Sequence, residues 1–304
     1  MKKHIGIVCL LAAALLWGAL GYFVRGLNAY GFSTIQVVSL RFITASLSTA
    51  AAALVIDRKA FRIRPKDIWM FLGTGVASIF AFNYCYLSCM TLTSLTLAVT
   101  FTYTAPAFAI VLAAILFKER ITPKVIIGMV LAVAGSLIAM GIWNAELRLT
   151  PLGTVLGLSS GLFFALYSIF SRLALKRYSS LTITLYSFIF AAIAATAVCS
   201  PVEMVSIMHD AGFVPNLLGL GILCTPIPYF LYTYGVSKVK VSVASIITLA
   251  EIVTATLISA LVYHEEQRLY QLIGVLLVVG AVILLAFGNT NADSPKKEEP
   301  IKQG

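Results

Sequence analysis

Val241 to Glu266 reads VSVASIITLAEIVTATLISALVYHEE, apolar and long enough to cross a bilayer, yet it carries Glu251 near its middle. A carboxylate at the bilayer centre costs roughly 2.5–3.5 kcal/mol on the insertion scale, and each Leu, Ile or Val returns about 0.3–0.6 kcal/mol. Ile246, Ile247, Leu249, Ile252, Val253, Leu257, Ile258, Leu261 and Val262 together return on the order of 4 kcal/mol. The helix therefore carries one acid with little to spare. That acid points to a substrate path through a multi-helix membrane protein.

The rest of the chain agrees. Of its 304 residues, 60% are hydrophobic and 11% are charged. A soluble domain is nearer a quarter charged, so this is a membrane composition. The length accommodates about ten spans of ~20 residues with short connections. Net charge is +10, but the basic residues sit in the connections and form no soluble basic domain. Nucleic acid is therefore not an expected partner. Cys9, Cys85, Cys89, Cys199 and Cys224 lie in or near apolar runs and make no disulfide framework. Cys85 and Cys89 share a helix face but have no further ligands nearby, so packing is their expected role and no metal or cofactor is called for.

The first apolar run, Ile5–Val24, follows Met1-Lys2-Lys3-His4 and is read as a retained helix rather than a leader peptide. Further helices are expected over Ser33–Ile56, Ile68–Met90, Leu95–Phe117, Pro123–Ile142, Pro151–Leu175, Ser180–Cys199 and Asn216–Val236. Helix 9 falls in the opening stretch, and Tyr270–Phe287 is the tenth. Pro226 and Pro228 are expected to interrupt helix 8, and Pro106 helix 4. Residues 288–304 are polar, charged and proline-containing, which predicts a disordered tail.

Lys and Arg set the orientation. With the N-terminus in the cytoplasm, the inner side receives Lys2, Lys3, the basic helix 2–3 loop, Lys118, Arg120, Lys124, Lys176, Arg177, Lys238, Lys240 and the tail lysines. Only Arg25, Arg148 and Arg268 fall outside. This bias predicts a multi-pass protein of a bacterial inner membrane with both termini cytoplasmic.

The halves match at an offset of 146 to 147 residues. Gly6 falls on Gly153, Arg25 on Arg172, Tyr86 on Tyr232, Ala98 on Ala244, Thr102 on Thr248, Glu119 on Glu265 and Gly128 on Gly274. Each half holds five helices, an odd number, so the second enters from the opposite side. The expected fold is an all-α membrane protein of ten transmembrane helices as two inverted five-helix repeats, residues 1–143 and 151–287.

Each half ends on an apolar run, an acid and a glycine-bearing helix. The copies are PAFAIVLAAILFKERITPKVIIGMVLAVAG, from Pro106 to Gly135, and EIVTATLISALVYHEEQRLYQLIGVLLVVG, from Glu251 to Gly280. With Trp17-Gly18 and Arg41-Phe42, this resembles the EamA-type drug/metabolite transporters over about Ile5 to Phe287. The resemblance implies a central cavity lined mainly by helices 3, 4, 8 and 9, plus 1 and 6. It also implies small metabolites such as amino acids as substrates, often exported. Second copies in that family often carry a proline after the acid; here Ile252 stands there, so the sequence leaves open a kink in helix 9.

The candidate substrate-binding residues are Trp17, Asn83, Tyr84, Tyr86, Thr100, Tyr103, Tyr229, Tyr232, Thr248 and Glu251. Aromatics with a few hydroxyls suit an apolar body with one polar end. Glu251, one helical step from Thr248, is the candidate for a substrate amine or a coupling proton; a buried structural carboxylate bonded to Thr248 or to a neighbouring helix is the alternative. Arg41 is second in line, as a site for a carboxylate or as a snorkelling side chain. Glu119 and Glu265 are expected to be structural. A membrane-embedded enzyme and a channel are the competing classes. No G-x-S-x-G, H-E-x-x-H or Walker A pattern occurs, and His4, His209 and His264 are scattered, so a carrier is preferred and no catalytic residue is expected.

The orientation is testable by cysteine labelling. A cysteine placed at Lys59 is expected to react with a membrane-impermeant maleimide only after the inner face is exposed. Labelling from outside intact cells contradicts the topology.

Overall fold

A computed structural model describes residues 2–144, 149–199 and 211–287. The expected tail at 288–304, Arg148, and Glu203, His209 and Asp210 lie outside the described residues. Among the described residues, ten helices are long and apolar enough to span a bilayer: α1 Lys3–Asn28, α2 Thr34–Ile56, α3 Pro65–Leu92, α4 Leu95–Phe117, α5 Pro123–Met140, α6 Pro151–Ala174, α7 Ser180–Val198, α8 Ala211–Val236, α9 Val241–Leu261 and α10 Leu269–Phe287. Large apolar side chains such as Val55, Ile115, Leu276 and Phe287 project outward from them, as a lipid-facing surface requires. The chain is an all-helical, multi-pass membrane protein.

The helix contacts repeat under exchange of the two halves. α1 packs on α8, and its image α6 packs on α3. α1 also meets α9, as α6 meets α4. The pairs α2·α7, α4·α9 and α5·α10 each map onto themselves. Finer details follow the same rule. In α5·α10, a Cβ added at Gly128 would meet Leu285, and one at its counterpart Gly274 would meet Ala139, the counterpart of Leu285. Lys118 (φ 53°) and His264 (φ 52°) are counterparts and the only non-glycine residues with positive φ among those described. With five spans in each half, the second half is entered from the opposite face, and the repeats are inverted.

Five spans break near mid-depth. α1 turns at Ala19, between Lys2–Gly18 and Leu20–Asn28. α3 contains a π-helical stretch at Gly75–Phe80, and α8 one at Gly219–Leu223. α4 breaks at Tyr103-Thr104, just before Pro106, whose missing N–H cannot continue the ladder. α9 passes through a 3₁₀ turn at Thr248–Ala250, directly before Glu251. The break left open by the sequence therefore exists, without a proline. In α8 the interruption lies ahead of Pro226, which opens the following helical segment.

Hydroxyls and amides take up the carbonyls that these breaks release. Ser78 donates to Gly73 O at 2.7 Å, Asn83 to Ile79 O at 2.8 Å and Thr225 to Leu220 O at 2.6 Å. Thr104 donates to Phe101 O at 2.6 Å and Thr248 to Ser245 O at 2.7 Å. On the face where α1 begins, Asp67 receives Arg177 at 2.6 Å and the Tyr178 hydroxyl at 2.7 Å, tying the start of α3 to the α6–α7 loop.

Gly274 is pressed on backbone atoms of Gly135 and Ala139, which have no flexible end to yield. Gly274→Val is expected to cost about 1–3 kcal/mol through overpacking and to lower the thermal midpoint in detergent. Gly280→Ala, where an added Cβ meets nothing within 4 Å, is the matched control and is expected to leave it unchanged.

Candidate functional site

The breaks in α1, α4 and α9 border a cavity of about 310 Å³ between the halves. Its walls come from Trp17 to Gly21 of α1, Phe82 to Tyr86 of α3, Val99 to Pro106 of α4 and Thr248 to Ala255 of α9. Arg41 of α2, Phe164 of α6 and Tyr229 of α8 complete it. The α1, α2, α3 and α4 residues occupy the halves of those helices away from the face where α1 begins. The cavity therefore extends from mid-membrane toward the opposite face.

Gly18 sets the width at one end. A Cβ there would run into the Glu251 carbonyl and Thr254, so α1 and α9 approach closely and hold Trp17 beside Glu251. Glu251 is half-buried and lines the cavity. Its carboxylate accepts no hydrogen bond and forms no ion pair among the described residues. The Thr248 hydroxyl is occupied by Ser245 O, so the structural alternative of a Glu251–Thr248 bond does not occur.

Arg41 is buried, with its Nε donating to Thr225 Oγ1 at 2.7 Å. It does not snorkel to the surface. No ion pair joins it to Glu251, although both line one cavity. The cavity thus presents an unpaired carboxylate and a guanidinium with one hydrogen-bond partner, set between aromatic rings.

The floor is an aromatic layer. Trp17 meets Tyr229 edge-on at 5.1 Å between centroids, and Tyr167 meets Tyr229 at 4.9 Å. Below it, α6 and α8 are joined by Tyr167–Thr233 at 2.8 Å, Ser168–Tyr232 at 2.5 Å, and a bond from Arg172 to Val236 O.

Of the residues singled out from sequence, Trp17, Arg41, Asn83, Tyr86, Tyr103, Tyr229, Thr248 and Glu251 line the cavity. Three do not. Tyr84 is 49% exposed on the far side of α3, stacked on Phe80. Thr100 spends its hydroxyl on Thr96 O at 2.8 Å and lies off the wall. Tyr232 is beneath the floor, bonded to Ser168. Phe164 and Thr102 were missed, yet the repeat offset marks both: Phe164 is the counterpart of Trp17, which it meets at 6.2 Å, and Thr102 that of Thr248.

Comparison with known proteins agrees with the two-repeat fold. The family model described as "EamA-like transporter family" matches residues 4–141 and again 151–287. The uncharacterized transporter YetK of Bacillus subtilis (strain 168) is 26% identical over 309 residues, covering 98% of this chain and 92% of its own. An uncharacterized transporter of Archaeoglobus fulgidus is 27% identical over 285 residues, covering 92% of this chain and 95% of its own. A solved protein crystal structure superposes with a TM-score of 0.79 at 20% identity, over 92% of this chain and 95% of its own, which shows the shared fold.

Proposed function

The chain belongs to the EamA-like transporter family, and from that premise we propose that it is a secondary carrier that exports small amino acids across a bacterial inner membrane by alternating access. Two units, 1–143 and 151–287, rock against each other around the cavity, followed by a cytoplasmic tail at 288–304. Both termini are cytoplasmic, in keeping with the bias of Lys and Arg. The cavity then faces outward in this conformation.

One observation carries the substrate reading: Glu251 and Arg41 line one cavity without pairing with each other. A substrate bearing both an amine and a carboxylate offers a partner to each. The carboxylate of an amino acid matches the Arg41 guanidinium, which accepts bidentate pairing. Its amine matches Glu251. Trp17, Tyr103 and Tyr229 enclose the remainder, with Asn83, Tyr86 and Thr248 as the polar edge. About 310 Å³ is at the small end for ligand pockets, which favours compact substrates.

Glu251 is also the residue proposed to carry a coupling proton. A proton from outside neutralises the carboxylate and releases the amine; the reoriented acid returns the proton inside. An intramembrane acid with no structural partner is suited to this exchange.

The test is flux of labelled amino acids into proteoliposomes, with and without a proton gradient. Saturable, competitor-sensitive flux is expected. Glu251→Gln keeps the shape but cannot ionise; it is expected to insert and fold normally and to lose flux by on the order of tenfold or more, with its pH dependence abolished. Arg41→Lys is expected to weaken apparent affinity more than Glu251→Gln does, because a point charge replaces a planar fork. Wild-type flux and an unchanged pH profile in Glu251→Gln would defeat the assignment. Hydrolysis products without flux would favour a membrane-embedded enzyme instead.

A further inference from the structure

The two halves share one local design at the ends of α4 and α9, but use it differently. Lys118 and His264 both adopt the left-handed conformation and turn the chain into Glu119 and Glu265. The backbone bonds that follow are equivalent: Glu119 N–H donates to Ala113 O at 3.3 Å and Glu265 N–H to Ser259 O at 3.1 Å. These acceptors are themselves counterparts. The turns match, and the acids leave them toward different partners.

Glu119 crosses to the other half. It accepts from Val241 N–H at 2.9 Å, Ser242 N–H at 3.2 Å and the Ser242 hydroxyl at 2.8 Å. These are first-turn donors of α9, which has no side-chain cap of its own because Lys240 precedes it. A carboxylate there satisfies orphan amides and complements the helix dipole. This clamp and the Arg172 bond to Val236 O close the face below the aromatic floor.

Glu265 does not make the corresponding cross-link. It accepts from the Ser259 hydroxyl at 2.5 Å and lies 3.7 Å from Arg25, whose guanidinium stacks 4.5 Å from the Tyr263 ring centroid. Both side chains are more than half exposed, at 62% for Arg25 and 54% for Glu265. The counterpart of Ser242 is Thr96, which offers the same hydroxyl at the N-terminus of α4. Ser94 caps only Leu97 N–H there, leaving the Leu95 and Thr96 amides for another acceptor. The counterpart of Val236 is Met90, whose carbonyl lies in the last turn of α3.

We propose that Arg25 and Glu265 form the gate on the open face of the cavity, exchanging their present partners for the α3 and α4 ends when that face closes. Glu265 leaves Ser259 for the Leu95 and Thr96 amides and the Thr96 hydroxyl. Arg25 leaves Glu265 for the Met90 carbonyl. In the same movement Glu119 releases α9 and Arg172 releases Val236. In the present conformation Ser259 and Arg25 hold the outer acid aside, a holding site that the inner half lacks because Ala113 stands where Ser259 does. The gate rests on the alternating-access reading but not on the substrate, so it is tested without one.

The reporter is a cysteine at Gly21, on the wall of the open vestibule, where an added Cβ meets nothing within 4 Å. The background is Cys9→Ala, since the other four cysteines are buried. The rate of labelling by a membrane-impermeant maleimide from outside measures the open-face population. Thr96→Val removes a bond made only in the closed state and is expected to raise that rate. Ser242→Ala removes a bond that holds the opposite face shut and is expected to lower it. Each change is expected to be several-fold, up to roughly tenfold for one hydrogen bond to a charged group. Ser259→Ala, which frees Glu265, is expected to act in the same direction as Ser242→Ala. Shifts of the same sign for Thr96→Val and Ser242→Ala, or no shift in either, overturn the gate. Opposed shifts in a protein that moves no amino acid uphold the gate and reject only the substrate.

Discussion

A helix that breaks inside hydrocarbon must find partners for every backbone group it frees, and the cavity stands where this has been done. Five spans break near one depth, and the breaks in α1, α4 and α9 border the cavity. Water cannot reach such groups from lipid, so irregular backbone survives at that depth only where it is packed in protein or lines a polar space. Ser78, Asn83, Thr104, Thr225 and Thr248 each turn a side-chain donor back on a nearby carbonyl. Most of the mid-membrane hydroxyls are therefore committed to backbone. The groups left facing the cavity with capacity to spare are the two charged ones, Glu251 and Arg41, and the hydroxyls of Tyr86, Tyr103 and Tyr229.

The symmetry of the halves builds the container, and its exceptions give it polarity. Trp17 and Phe164 are counterparts that meet across the middle, and Thr102 and Thr248 line equivalent walls. Glu251 has Ala105 as its counterpart, and Asn83 has Tyr229. One acid in an otherwise near-symmetric chamber distinguishes the ends of whatever lies in it. A symmetric pair of acids would instead repel each other at close range and cost twice the burial.

The architecture was readable because its signals are coarse and redundant: ten long apolar runs, an odd number in each half, and paired residues at one offset. The azimuth of individual side chains was not. Tyr84 and Asn83 are adjacent in sequence, and only Asn83 faces the cavity. The π-helical stretch at Gly75–Phe80 rotates everything after it relative to a regular helix. The repeat offset pairs Tyr232 with Tyr86, but only Tyr86 lines the cavity, and Tyr232 lies beneath its floor. Thr100 illustrates a third limit, since a hydroxyl bonded to its own helix looks in sequence like one offered to a ligand. The 3₁₀ turn in α9 carried no proline to announce it.

The α5·α10 pair contributes nothing to the cavity and packs through small residues, leaving Ile126, Ile127, Val130, Leu272, Ile273 and Leu276 against lipid. These are also among the shortest spans, at 18 and 19 residues, against 26 to 28 for α1, α3 and α8. At 1.5 Å per residue they reach about 27–29 Å, close to the hydrocarbon thickness of a thin bilayer, so they fit nearly upright where the longer helices must tilt or bend. This pair is thus a part of the molecule matched to membrane thickness and set apart from the cavity. Lengthening or repacking its outer surface adapts the protein to a different bilayer while leaving the chamber, and what it selects, untouched.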